Sequence, residues 1–460
     1  MRTLGTVVRG IRAPIFRAGD DAVAVTAETV LNALKANGIE PHDKDVVAVT
    51  ESVVARCQGN YATVEQIAAD VKRRTGGGTV GLTFPITSRN RFSVPLRGIA
   101  MGCKKVIVML SYPSDEMGNA FLTLDQVEAA GVNPWSDTLT ADEFRAKFGD
   151  VRHTFTGMDY ITFYKEIIES TGAEAEIILS NHVQDILKYT DTVIACDIHS
   201  RFRSKRLLRE AGAKIVLGLD DILSESVDGS GYNPDYGLLG SNKADETRIK
   251  LFPRDSMAVA EALGKVLSEA TGKQIEAMIY GDGCFKDPVG MIWEMADPQC
   301  CPGFTAGLDG TPNELKLKNI ADGEYSELKG AELKAAVEEK IRNKQQGSLV
   351  GNMASMGTTP RRIVDLLGSL CDLTSGSGDK GTPIIYIQGY FDNFIDEFSK
   401  KTACGRSFFH SQSRELQQPA HLIRPFPLTC NLIKKAERIS SPHFIVLQIP
   451  DHRMSFATGV

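Results

Sequence analysis

The sequence lacks an excess of positive charge, a long apolar run and any paired-cysteine motif, and each absence closes a class of function. With 52 lysines and arginines against 58 aspartates and glutamates, the formal net charge is -6. That balance argues against a general electrostatic grip on nucleic-acid phosphates or anionic lipid. No stretch approaches the ~18 apolar residues of a membrane span, and Arg2 and Arg9 are not followed by an apolar segment of signal-peptide length. The expectation is a cytoplasmic protein with neither nucleic acid nor membrane as partner. The nine cysteines (57, 103, 196, 284, 300, 301, 371, 404 and 430) are odd in number, scattered and without a C-x-x-C pair, which leaves no disulfide framework and no structural zinc site. The adjacent Cys300 and Cys301 read as loop or buried thiols. No internal repeat has a solenoid period. A phosphate loop of the Walker type is also missing: in TSGSGDKGT, residues 374–382, Gly381 follows Lys380 where a serine or threonine belongs. That stretch is either a turn-forming loop or an anion site built from exposed N–H groups.

What is present is an ordinary globular composition over 460 residues, 42% hydrophobic and 24% charged, enough for two or three domains with a sizeable core. Short β-branched runs alternate with helix-length segments of 3.6 periodicity. Strands are predicted at 46–50, 106–110, 177–179, 193–196, 215–217, 277–280 and 384–387. Helices are predicted at 23–37, 64–74, 160–170, 182–190 and 257–271, with a further pair at 333–341 and 363–370. The class is α/β: a mixed sheet flanked by helices, with a second, smaller α/β segment. The helix after Asp255 has the best apparent caps, with the aspartate before it and Gly272 after it. Residues 402–460 differ from the rest and carry four of the eight histidines, so they read as an atypical tail, appended or frame-shifted.

The most informative stretch is TVIACDIHSRFR, residues 192–203. An apolar strand runs into Asp197, His199, Arg201 and Arg203, and extended geometry would put these alternate residues on one face. In open α/β sheets, ligands sit outside the carboxyl ends of strands, where such a row meets substrate. A surface salt-bridge ladder is the plainer alternative. A second acid, Asp159 in TGMDYIT, precedes a predicted helix, where it is either an N-cap or a partner of Asp197. Two carboxylates at ~4 Å repel by roughly 4 kcal/mol at an effective dielectric of ~20, so a shared site needs a cation. In IYGDGCFKDPVG, Asp282, Lys286 and Asp287 flank a glycine turn after a strand and read equally as turn residues or as contacts to a phosphate or carboxylate.

Taken with GIRAPIFRAGDD (10–21) and DVVAVTESVVARCQG (45–59), the motifs TGMD and ACDIHSRFR together resemble the coenzyme F(420)-0:L-glutamate ligases. That resemblance covers about residues 5–285 discontinuously, with much of 76–151 unaligned, and 290–400 resembles longer members of the family. It implies a nucleotide- and metal-dependent ligase that joins an amino acid such as L-glutamate to a small carboxylate, such as a deazaflavin, using GTP or ATP with Mn²⁺ or Mg²⁺. It implies a ligase-like domain at 1–290, an α/β extension at 291–401 and the tail at 402–460, and it admits a homodimer. By position it makes Asp159 and Asp197 metal ligands, with Glu269 nearest in place to a further one, and sets Ala13, Pro14, Ile15, Phe16, Glu51, Ser52, Arg56 and Thr162 along the nucleotide. Arg201 and Arg203 then suit phosphate charge in transfer, and His199 suits orientation or proton movement. Several positions depart from the family pattern: Arg56 stands where a lysine is common, the glutamine expected near Glu269 is not evident, Thr162 replaces an asparagine, and Ile198 replaces a hydroxyl residue and has no side-chain atom to ligate a metal. The last two favour the alternative of a non-catalytic nucleotide-binding or regulatory protein; a metal-dependent phosphohydrolase using the same acids is a third reading.

Overall fold

The computed structural model describes residues 4–153, 156–282, 297–344, 355, 361–375, 378–393 and 395. The tail 402–460, its apolar run 444–449, and Lys286 and Asp287 lie outside the described residues. The strands in chain order are β1 (Val7–Ile11), β2 (Asp45–Thr50), β3 (Tyr61–Thr63), β4 (Thr79–Thr83), β5 (Lys105–Leu110), β6 (Leu139–Thr140), β7 (Glu174–Leu179), β8 (Thr192–Ala195), β9 (Ile215–Gly218), β10 (Asn242–Lys243), β11 (Arg248–Lys250), β12 (Ile275–Tyr280), β13 (Gly303–Phe304) and β14 (Ile384–Gln388). Among the described residues they form one sheet ordered β1-β14-β2-β12-β13, a second ordered β6-β7-β5-β4-β8-β9, and a small antiparallel sheet β10-β11-β3.

In the first sheet β2 and β12 run parallel, and β14 runs antiparallel between β1 and β2. Strand alternation sends Val47, Val49, Ala277 and Ile279 to one face, against the helices Ala22–Ala36 and Ser256–Thr271. Val46, Ala48, Met278 and Ile385 go to the other, under the helix Ile363–Thr374. A strand buried on both faces is apolar at nearly every position rather than alternating, which is why 46–49 and 384–387 read as continuous Val/Ile-rich runs. Residues 384–388, from the segment read as an extension, thus supply an interior strand of the sheet that β1 and β2 build.

The second sheet is parallel from β7 through β9. Its faces divide in the same way: Val106, Val108 and Leu110 pack on one side, Ile107, Met109 and Ile178 on the other. Its first strand, β4, lies between β5 and β8, so the order of winding reverses beside β4. Both β4 and the helix Ser93–Met101 fall in the stretch that carried no family motif. That helix packs closely on Val64–Thr75 because Gly98 has no side chain; a Cβ there would come within 2.7 Å of Ile67.

Three local expectations are corrected. Asp255 sits at φ +54° and makes no side-chain cap, although Gly272 does end its helix in the left-handed conformation. The helix expected at 182–190 is only a 3₁₀ turn, Val183–Lys188. Strand β8 stops at Ala195 and the helix Arg201–Glu210 follows, so Asp197, His199, Arg201 and Arg203 do not form an extended row. The six described cysteines form no disulfide with one another.

Candidate functional site

At the carboxyl edge of the second sheet, Asp197 lies just beyond β8 and is completely buried. The hydroxyls of Ser200 and Ser204 each donate to its Oδ2 at 2.8 Å, whereas Oδ1 has no partner. On neighbouring β4, Thr83 pairs in register with Ala195, and its buried Oγ1 is likewise unpartnered. Two orphaned oxygens therefore flank the point where the strand order reverses, the usual ligand crevice of an open α/β sheet. Burial pushes the Asp197 carboxyl up to about 6; Ser200 and Ser204 oppose the shift and the nearby Glu116 carboxylate adds to it. Glu116 comes from the loop after β5. It accepts the backbone N–H groups of Ile198 and His199 and the hydroxyl of Ser200, which ties that loop to the turn after β8.

The remaining residues of this motif are dispersed. Arg201 is buried: its Nε donates to Asp220 at 3.0 Å and its guanidinium caps the Ile198 carbonyl. Lys205 joins the same ion-pair group through Asp220 and Asp221. Arg203 and His199 are exposed. Two residues apart on a helix, Arg201 and Arg203 point about 200° from each other, which explains their separate fates.

Asp159 precedes the helix Tyr160–Glu169 and caps it: Oδ1 accepts the N–H groups of Ile161 and Thr162, and Oδ2 accepts Arg145 at 2.7 Å and the Thr162 hydroxyl. Both oxygens are thus engaged inside the protein, and Thr162 is turned to Asp159 and Arg145. Glu269 is exposed on the helix Ser256–Thr271, which packs on the first sheet.

The carboxyl ends of β1, β2 and β12 gather the other residues. Cross-strand register aligns Ile11, Ile384, Val49 and Ile279, so the turns that follow β1, β2 and β12 share one edge with the turn that precedes β14. Ala13 donates to the Gly381 carbonyl at 3.1 Å; Pro14 and Ile15 are exposed and Phe16 is buried in the core. Glu51 opens the helix Glu51–Cys57 and forms a buried ion pair with Lys250 of β11 at 2.9 Å. Burial raises its pKa and Lys250 opposes the rise. Ser52 is half-buried in the same turn and Arg56 exposed at the far end.

Arg91, in the loop after β4, joins the two edges. It pairs with Asp297 at 2.7 Å and with Asp282, two residues beyond the end of β12. Burial raises the Asp282 carboxyl, Asp297 raises it further, and Arg91 opposes both. Asp282 was legible as a strand-end acid, whereas Arg91, Lys250, Asp297 and Glu116 stand alone in sequence and acquire a role only through pairing. Among the described residues, no group of three or more His, Cys, Asp and Glu side chains is placed to hold a metal ion. A hard cation here would take one or two carboxylates and complete its shell with water and phosphate oxygens, an arrangement typical of Mg²⁺.

A family model described as F420-0:Gamma-glutamyl ligase matches residues 10–389. No curated protein matches the chain. Among the described residues, no helix is long and apolar enough to cross a membrane.

Proposed function

The chain belongs to the F420-0:gamma-glutamyl ligase family, and from that premise we propose that it uses a nucleoside triphosphate and a divalent cation to join an amino acid such as L-glutamate to a small carboxylate. The observation that carries the site assignment is the buried Asp197 with its unpartnered Oδ1 at the crevice beside β4. Burying an ionised carboxylate without a partner costs several kcal/mol, and a cation at that oxygen offsets the cost. The residues fit such an ion: Asp197 is the principal ligand, Glu116 is the acid beside it, and the Thr83 hydroxyl is a neutral oxygen on the same crevice. Asp159 becomes a ligand only on releasing Arg145 and Thr162.

Amide formation from a carboxylate needs a leaving group better than oxide. The acceptor carboxylate attacks the γ-phosphorus of the triphosphate, the bond to the bridging oxygen breaks, and nucleoside diphosphate leaves. The α-amine of the incoming amino acid then attacks the acyl phosphate carbon, inorganic phosphate departs, and the amine loses its proton. A bound Mg²⁺ or Mn²⁺ supplies charge neutralisation on the transferring phosphoryl oxygens. Within the chain, exposed Arg203 is available to phosphate and His199 stands at the same turn to take the proton, while Arg201 holds the turn through Asp220. Along the first sheet, the loop 13–16, Ser52 and Arg56 receive the nucleotide; Glu51 acts through Lys250.

Purified protein with GTP or ATP, Mn²⁺ or Mg²⁺, L-glutamate and a panel of carboxylates is expected to release phosphate only when the acceptor is present. Release without acceptor would assign a phosphohydrolase. No release, with nucleotide still bound, would assign the regulatory reading, which Ile198 and the engaged oxygens of Asp159 favour.

A further inference from the structure

Beside β1 runs a groove of about 710 Å³ that none of the preceding chemistry uses. It lies between β1, the last turn of the helix Ala22–Ala36 and the loop 378–382, and Arg9, Arg12 and Lys380 are its charged lining. Among the described residues no carboxylate lines it. The nearest buried acid, Asp45, is occupied by Tyr386 and Gln388. Arg9 makes a long contact to Gln388, whereas Arg12 and Lys380 are exposed and have no ion-pair partner among the described residues. Gly10 lies close against the loop: a Cβ there would stand 3.0 Å from the Thr382 Cβ, so any larger residue would push Thr382 away from β1. Asp379 neighbours Lys380 in sequence but does not line the groove.

We infer that this groove binds a ligand carrying two or more linked phosphate groups. Its volume suits a small molecule. Guanidinium forks grip phosphate through paired hydrogen bonds and the ammonium of Lys380 adds a point charge, and an anion in the groove would relieve the repulsion among three like charges that line it. Lys380 thereby takes part through its side chain and not as the lysine of a Walker loop. The inference goes beyond the ligase reading and stands without it, because it concerns equilibrium binding in the absence of acceptor and amino acid.

The test is calorimetric titration of the full chain with inorganic tripolyphosphate at low and moderate salt, with citrate as a carboxylate of similar charge. Tripolyphosphate is expected to bind more tightly than citrate and to weaken as salt rises. Arg12→Ala and Lys380→Ala should each weaken it about tenfold, the effect of losing roughly 1.4 kcal/mol. Lys72→Ala, an exposed lysine on the helix Val64–Thr75, should leave it unchanged. Both groove side chains are exposed, so either variant is expected to keep the native melting transition, and each serves as a check on the other. Displacement by GTP would identify the source as the nucleotide's own tail, and failure of GTP to compete would identify a separate phosphorylated molecule; both support the site. Absence of binding, citrate binding as tightly, or equal weakening by Lys72→Ala would overturn it.

Discussion

Asp197 is a carboxyl group whose ordinary value near 3.8 is pushed up to about 6 by burial. The folded protein therefore holds this proton more tightly than the unfolded chain. Between about pH 4 and pH 6 the unfolded chain has released the proton while the folded one retains it, so stability falls across that window and the penalty is complete above it. At ~1.4 kcal/mol per pH unit the penalty is of order 2–3 kcal/mol. Asp197→Asn, studied with a chelator present, is expected to melt higher than the parent at pH 7.5 and no higher at pH 4. Adding Mn²⁺ should then stabilise the parent and not the variant. A variant that melts lower at pH 7.5 would show that the two serine hydrogen bonds to Oδ2 outweigh the buried charge, and equal stabilisation by Mn²⁺ would remove Asp197 from the ligand set.

Among the elements, those whose apolar pattern is self-sufficient were readable in the sequence and those set by a neighbour were not. The run 46–49 is apolar at every position because β2 is covered on both faces, and the strand predicted at 46–50 appears within one residue of its predicted start. The row from Asp197 to Arg203 misled because alternation has meaning only while the chain is extended, and β8 ends at Ala195. Asp159 admitted two readings, and the cap is the one visible: Oδ1 takes two helix N–H groups. Asparagine caps a helix about as well as aspartate, whereas alanine costs ~1 kcal/mol. Asp159→Asn should therefore melt close to the parent, losing only the exposed Arg145 pair, while Asp159→Ala melts lower. Measured Mn²⁺ affinity separates the second role: a loss in Asp159→Asn as large as in Asp197→Asn would make Asp159 a ligand in solution, and an unchanged value would leave it a cap.

At the scale of the whole molecule, two contacts between distant segments hold the candidate site together, and neither is visible as a local pattern. One is Arg91, which ties the loop after β4 to Asp282 and Asp297 at the edge of the other sheet. Removing one member of a buried ion pair leaves its partner uncompensated and costs about 3–5 kcal/mol. Arg91→Ala should lower the denaturation midpoint accordingly, and Arg91→Met, which restores bulk without charge, should not rescue it. The other contact is β14. Ile384, Ile385, Tyr386 and Ile387 are essentially inaccessible to solvent, and the strand hydrogen-bonds to β1 on one side and β2 on the other. Each such side chain contributes roughly 1.5–3 kcal/mol by burial. Without the strand, β1 has no partner among the described residues and β2 becomes an open edge, a template for aggregation. A chain ending at Ser375 is therefore expected to be insoluble or to unfold at much lower denaturant. A chain ending at Lys401 keeps every described element and should retain the parent's midpoint and nucleotide binding. Soluble yield and urea denaturation of the two truncations decide the matter: a stable chain ending at Ser375 would show that residues 376–401 are dispensable and that the first sheet closes without them.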